Sequence, residues 1–102
     1  MNLQQFRRYD KIFIEEFFLL DWRNRQNEMW FAITGSTYNI YEIVIDKQQK
    51  DIYCNCQDFM DNCLEKLIVC KHCCFILFTV LKLYRKCTRN INKITLNRPI
   101  SY

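Results

Sequence analysis

Apolar residues recur at steps of three and four over the first twenty residues, which is the period of one face of an α-helix. The charged residues fall mostly away from this stripe, so the pattern predicts an amphipathic helix that ends near Asp21, followed by a polar linker over residues 23–27. Packing against the core would explain the stripe, and the alternative is a face that binds a partner. We expect core packing for its members, Leu3, Phe6, Tyr9, Phe13, Phe17 and Leu20.

The pattern then changes to the alternation of apolar and polar residues that is typical of β-strands. The first strand is expected over Trp30–Thr34, before a turn at Gly35-Ser36, and the second within residues 38–46. A polar loop over residues 46–50 leads into a short returning strand, Asp51–Cys54. Together these segments predict a three-stranded antiparallel meander.

A second helix is expected from near Cys70 to about Cys87, after a connector over residues 57–69 with a helical turn around residues 62–67. Its residues are apolar almost all the way round, which indicates burial on several sides. The sheet can cover one side and the N-terminal helix another. The predicted fold class is therefore α+β, organised as an N-terminal helix and linker (1–28), a central unit (29–87) and a basic C-terminal tail (88–102).

Two short motifs carry the candidate chemistry. Cys54-Asn55-Cys56 and Cys70-Lys71-His72 are separated by 13 residues, and His72 is the only histidine of the chain. Three thiolates and one imidazole complete the tetrahedral shell of a Zn²⁺ ion. A Cys-x-Cys at a strand end directs both sulfurs to the same side, and a Cys-x-His at the start of a helix lies where thiolate is favoured.

Taken singly, these residues are better explained as buried small apolar side chains and a core histidine than as metal ligands. As a quartet they predict one Zn²⁺ bound by Cys54, Cys56, Cys70 and His72. Of the other cysteines, Cys73 and Cys74 lie in an apolar run and are expected in the core. Cys63 remains an alternative ligand or a member of a second site.

The two motifs and their surroundings resemble the SWIM-type zinc finger, in which Cys-x-Cys, a variable spacer and Cys-x-His lie between a short antiparallel sheet and a helix. The resemblance covers residues 29–86 and includes the strand leading into Tyr53-Cys54 and the pair Asp58-Phe59. The spacer is longer than in compact versions and lacks their usual glycine. The resemblance implies a zinc-binding module that contacts DNA or protein.

Length and charge distribution sharpen this picture. A chain of 102 residues is one small domain, and its core is thin enough to need a metal or a partner. Residues 1–65 have a net charge of −4, whereas residues 66–102 hold eight bases and no acid. This asymmetry favours a polyanionic partner, DNA more than RNA, although a solvated helix face with a basic tail explains it equally well. The candidate phosphate-binding residues are Lys82, Arg85, Lys86, Arg89, Lys93 and Arg98.

Nucleic-acid binding through these bases is the predicted function, because eight bases without an acid over 37 residues need a reason. The half-apolar composition supports the alternative, a zinc-stapled adaptor or structural subunit of a larger assembly. We do not expect an enzyme or a small-molecule substrate, because four protein ligands close the metal's coordination and a single glycine leaves no Gly-rich phosphate loop. Without a signal-like segment or an apolar run of about 20 residues, an intracellular protein with no membrane partner is expected. Ile, Asn, Lys, Phe and Tyr make up 43 residues, a bias of AT-rich genomes that include large DNA viruses, so a virus factory or virion is one location considered.

Overall fold

The computed structural model describes residues 3–82. A helix, α1 (Leu3–Ile14), precedes four strands, β1 (Phe17–Asn24), β2 (Glu28–Gly35), β3 (Ile40–Asp46) and β4 (Asp51–Cys54). A π-helical turn, Phe59–Cys63, follows the sheet. The helix α2 (Lys71–Cys74) then continues directly into a π-helical segment, Phe75–Val80. The predicted α+β class is confirmed.

The sheet is an antiparallel meander in the order β1-β2-β3-β4. The three predicted strands correspond to β2, β3 and β4, and β1 adds a fourth at the edge. Alternate residues of β2–β4 point to one face, which α2 contacts through β3 and β4, and most of them are buried in one core with α2 and its π-helical continuation. The buried residues of this face include Phe31, Ile33, Ile43, Ile45 and Ile52.

The predicted extension of the first helix to Asp21 is wrong. The helix ends at Ile14, and Phe17–Asn24 pairs with β2 from Phe17 opposite Gly35 to Asn24 opposite Met29. Burial alternates along Phe17, Phe18, Leu19 and Leu20, as a strand requires, before a bulge between Leu19 and Asp21. A run of four apolar residues fits both periods, and pairing with a neighbouring strand decided between them. Residues 23 and 24 of the expected linker also belong to β1.

The expected core packing of the α1 stripe is also wrong for most of its members. Leu3, Phe6 and Phe13 are at least half exposed, at 63%, 50% and 67%. Tyr9, whose ring lies 5.0 Å from that of Phe78, is half-buried. The side of α1 that faces the protein instead carries Gln5, Arg8, Tyr9 and Ile12, because its polar members have partners there that are described below.

The second helix begins close to where the pattern predicts, with Cys70 as the residue that precedes its first turn. It is buried nearly all round, as predicted, at Phe75, Ile76, Leu77 and Val80. Its described part ends sooner than Cys87: the last helical residue is Val80, and Lys82 has a positive φ of 55°. The connector's helical turn lies at Phe59–Cys63 rather than at residues 62–67. Residues 83–87 and the tail lie outside the described residues.

Candidate metal centre

The structure brings the four predicted ligands together. The Sγ atoms of Cys54, Cys56 and Cys70 and a ring nitrogen of His72 all lie within 4.8 Å of one another, and all four residues are buried. The Nδ1 atom of His72 lies 3.9 Å from the Cys54 sulfur and 3.7 Å from the Cys70 sulfur. A tetrahedral zinc ion with Zn–S bonds of about 2.3 Å and a Zn–N bond of about 2.0 Å separates its ligand atoms by about 3.5–3.8 Å. The quartet therefore has the composition and nearly the dimensions of a zinc shell.

The first ligand pair lies where β4 ends. Cys54 and Cys56 are buried while Asn55 between them is exposed, which is the alternation of an extended backbone. Asn55 continues the sheet, since its N–H donates to Glu42 O and its Oδ1 accepts from Glu42 N–H. The Phe59 N–H donates to the Cys56 sulfur across 3.3 Å. These contacts fix both sulfurs on the buried side of the strand end.

The second ligand pair lies where α2 begins. Cys70 is still extended, with ψ of 171°, and its carbonyl accepts from Cys74 N–H at 3.0 Å. His72 lies in the first helical turn, and its ring stacks on Tyr41 of β3 at 4.1 Å between centroids. The edge of Phe17 of β1 contacts the same ring at 5.9 Å. Two strands therefore orient the imidazole so that Nδ1 faces the sulfurs.

The Cys54 and Cys56 thiols need a nearby positive charge before they ionise near neutral pH. The hydrogen bond between Cys54 and Cys56 raises the pKa of Cys54 well above its ordinary value. For Cys56 the bond with Cys54 lowers the pKa, but the hydrogen bond with Cys70 and burial outweigh it and bring the pKa to about 12. Neutral thiols do not bind metals, and a divalent cation supplies the charge that makes thiolates stable. The donor set therefore suits a soft or borderline cation such as Zn²⁺.

The remaining described cysteines surround the quartet without joining it. Cys73 and Cys74 are fully buried, as predicted, and the Cys73 sulfur lies 3.7 Å from that of Cys70. Cys63 is also buried, its sulfur lies 3.9 Å from Asp58 Oδ2, and burial raises its pKa to about 12. Among residues 3–82 the four predicted ligands form the group of donors whose ligand atoms all lie within 4.8 Å of one another.

Three polar residues of or just after α1 contact the ligand-bearing segments, and sequence reasoning missed all three. Gln5 binds the backbone of Val69, the residue before Cys70. Arg8 binds Asp58, two residues after Cys56. Glu15 accepts a 2.7 Å hydrogen bond from Lys71, which lies between Cys70 and His72. Nothing in the sequence could have indicated them, because each is an ordinary polar residue on what reads as the solvent face of an amphipathic helix.

The structure supports the predicted phosphate-binding residues less than it supports the predicted metal ligands. Lys82 is exposed and lies after Val80, the last helical residue, with a positive φ of 55°. Arg85, Lys86, Arg89, Lys93 and Arg98 lie outside the described residues. Within residues 3–82, no helix is long and apolar enough to cross a membrane.

Comparison with models of protein families, with curated proteins and with solved structures found no match to this chain. The inference of a metal site therefore depends on the geometry of this chain alone. That geometry supports a compact α+β protein with a buried cluster of three cysteines and one histidine that can hold a metal ion.

Proposed function

We propose that the chain is a SWIM-like zinc-binding module in which one Zn²⁺, held by Cys54, Cys56, Cys70 and His72, ties the end of the sheet to the start of α2. The observation that carries this proposal is the buried quartet of donors within 4.8 Å. Four protein ligands leave no open position on a tetrahedral ion, which is the arrangement of structural rather than catalytic zinc. We therefore propose a non-enzymatic role.

Metal content tests this proposal directly. The full chain, purified without chelator, is expected to hold one zinc per molecule by elemental analysis. Titration with Co²⁺ is expected to give the visible absorption of a tetrahedral site with thiolate ligands, and the His72→Ala variant is expected to lose or shift that absorption. A chain that retains no zinc and shows no such absorption would overturn the proposal.

For the partner of the module, we propose another protein within a larger assembly. The support lies in residues 3–20, where α1 and β1 leave six large apolar side chains exposed: Leu3, Phe6, Phe13, Ile14, Phe18 and Leu20. Monomeric proteins rarely expose a contiguous apolar patch of more than a few hundred Å², and larger patches mark interaction surfaces. A role as adaptor or subunit would supply the cover for this surface.

A second candidate is nucleic acid, and the uneven charge of the chain favours it. Residues 66–102 carry eight bases without an acid, which suits phosphate contacts that are largely independent of sequence. Only Lys66, Lys71 and Lys82 of these bases lie among the described residues, and Lys71 is paired with Glu15. This candidate therefore depends on the charge of the sequence rather than on a described surface.

One pair of measurements separates the two candidates. For the zinc-loaded chain, a protein-contact role predicts concentration-dependent association in sedimentation velocity and no salt-sensitive binding to labelled DNA by fluorescence anisotropy. Nucleic-acid binding instead predicts a single species without DNA, and an affinity for DNA that falls with salt with a log–log slope of about −3 to −6. The Phe6→Ser/Phe13→Ser double variant should abolish association in the first case and leave DNA binding unchanged in the second.

A further inference from the structure

We infer that α1 is a positioning element of the metal centre, and that Gln5 and Arg8 hold the two ligand-bearing segments at the separation that the metal needs. The inference depends on the proposed zinc site. It adds to that site two residues that the Cys-x-Cys and Cys-x-His motifs do not include. The SWIM-like resemblance begins at residue 29, so these residues also lie outside it.

Gln5 makes two hydrogen bonds with the backbone of Val69, the residue before Cys70. Its Nε2 donates to Val69 O at 2.9 Å, and its Oε1 accepts from Val69 N–H at 2.8 Å. The side chain is only 2% exposed, so a replacement without hydrogen bonds would leave a buried N–H and a buried carbonyl unsatisfied. Because Val69 immediately precedes Cys70, this amide fixes the backbone from which the third thiolate projects.

Arg8 forms an ion pair with Asp58, in the segment that follows the first ligand pair. Its Nε and Nη2 donate to the two carboxylate oxygens of Asp58 at 2.8 Å each, a bidentate geometry. Asn62 supports the carboxylate with a further hydrogen bond of 3.0 Å. Asp58 lies in the turn whose next residue, Phe59, donates its N–H to the Cys56 sulfur. The ion pair thus fixes the turn that holds the second thiolate.

The Gln5–Val69 and Arg8–Asp58 contacts are both made by one rigid element, α1. Gln5 and Arg8 are three residues apart in α1 and therefore lie on the same face of the helix. A helix docked in a single pose holds Val69 and Asp58 at a fixed distance, and with them the two halves of the ligand set. The metal would link the two ligand pairs through their side chains, and α1 links the same two segments through Val69 and Asp58.

This arrangement predicts a measurable share of the metal affinity. Residues that orient metal ligands typically change affinity by about 10- to 100-fold when they are replaced. Loss of the Gln5–Val69 or the Arg8–Asp58 contact leaves one ligand pair free to move. Zinc must then order that pair when it binds, which lowers the affinity. We expect Gln5→Met and Arg8→Met each to weaken zinc binding by about that factor.

The sequence offers matched controls, because Gln5 and Arg8 each follow an exposed residue of the same amino-acid type. Gln4→Met and Arg7→Met make the same chemical changes on exposed side chains of the same helix. The measurement is the zinc dissociation constant of the full chain, obtained by competition with a chromophoric chelator. Both controls should match the wild type within about twofold, well inside the 10-fold lower bound expected for Gln5→Met and Arg8→Met.

A second readout separates positioning from a general loss of stability. The visible bands of the Co²⁺-saturated protein report the geometry of the ligands, and should shift or broaden in Gln5→Met and Arg8→Met. Ile45→Val removes a buried methyl group from the sheet and should leave those bands unchanged even though it destabilises the fold.

The outcomes are distinct. A wild-type chain that binds no Co²⁺ or Zn²⁺ overturns the zinc proposal and this inference with it. A wild-type chain that binds both ions, with Gln5→Met and Arg8→Met indistinguishable from Gln4→Met and Arg7→Met, overturns this inference alone. Weaker zinc binding with Co²⁺ bands identical to those of wild type also overturns it, because that result indicates a purely structural helix.

Discussion

The inner and outer faces of α1 make an instructive contrast. The inner face buries a glutamine and half-buries an arginine, and both are fully engaged by the segments that carry the metal ligands. The outer face exposes Leu3, Phe6 and Phe13 to a large extent. One helix therefore engages polar groups beside Tyr9 and Ile12 on its inner face and leaves large apolar side chains on its outer face, a departure from the usual amphipathic arrangement.

This contrast shows that hydrogen-bond partners determine which side chains are buried as much as apolar character does. A buried amide is tolerated when each of its polar atoms has a partner. Val69 binds both the oxygen and the nitrogen of the Gln5 amide, and that nitrogen also donates to the Cys74 sulfur. The outer face has the opposite problem, since exposed apolar area gains nothing from folding and is typical of surfaces that another molecule covers. The inner face agrees with the inferred role of α1 in positioning the ligand segments, and the outer face agrees with the proposed contact to a partner protein.

The largest effect is expected from the metal ligands themselves. We expect Cys70→Ser or His72→Ala to leave the chain largely unfolded. Structural zinc contributes on the order of 10 kcal/mol in small fingers, which is comparable with the whole net stability of about 5–15 kcal/mol of a domain. Far-UV circular dichroism and thermal melting at neutral pH measure the loss, and treatment of the wild type with a strong chelator should reproduce it.

Cys63→Ser is the matched control for these ligand variants. It also changes a buried cysteine, but one outside the quartet, so cooperative melting should be retained with one zinc bound. Melting of Cys70→Ser or His72→Ala that coincides with the wild type would contradict the prediction.

A pair of phenylalanine truncations tests the contrast between buried and exposed faces. Phe31→Ala removes a ring that is fully buried in the sheet, and should destabilise the fold by about 3–5 kcal/mol. Phe13→Ala removes a ring that is 67% exposed, and should change stability by about 0.5 kcal/mol or less. Urea unfolding of the zinc-loaded proteins compares the two. A loss above 2 kcal/mol for Phe13→Ala would mean that the outer face is covered in the isolated chain.

The sequence predicted the cluster of three cysteines and one histidine well because its signals are local. Cys-x-Cys at a strand end and Cys-x-His at a helix start each fix the direction of two side chains over three residues. Strands β2–β4 were equally accessible, since β-branched and aromatic residues alternate along them with clear turns between. The remaining step, bringing the two pairs together, followed from the requirement for four ligands.

The errors arose where long-range contacts decide. Residues 17–20 are all apolar, so their hydrophobic pattern fits a helix or a strand, and pairing with β2 settled the matter. The orientation of α1 depends on Val69 and Asp58, which lie 64 residues from Gln5 and 50 residues from Arg8 along the chain. No pattern within residues 3–14 contains that information.

A smaller effect is expected from the ring that orients His72. Tyr41→Leu removes the stacked partner of the imidazole, and aromatic pairs contribute about 0.5–1.5 kcal/mol beyond their buried area. We therefore expect zinc affinity to fall by about 2- to 12-fold, measured by chelator competition. Tyr38→Leu is the control, because Tyr38 is 86% exposed. Equal affinities in the two variants would show that the stacking has no part in the metal centre.

The smallest effect is expected from the ion pair between Glu15 and Lys71. Lys71 lies between two ligands, and its hydrogen bond holds the pKa of Glu15 below its ordinary value. Both side chains remain partly exposed, at 25% for Glu15 and 35% for Lys71, so water screens the pair and its contribution is at most about 1 kcal/mol. We expect Glu15→Gln to lower stability by no more than that, with zinc affinity unchanged. The stability difference from wild type should shrink between about 0.1 M and about 1 M salt, as it does for exposed charges. A loss of zinc affinity comparable with that of Gln5→Met would instead place Glu15 among the residues that position the ligands.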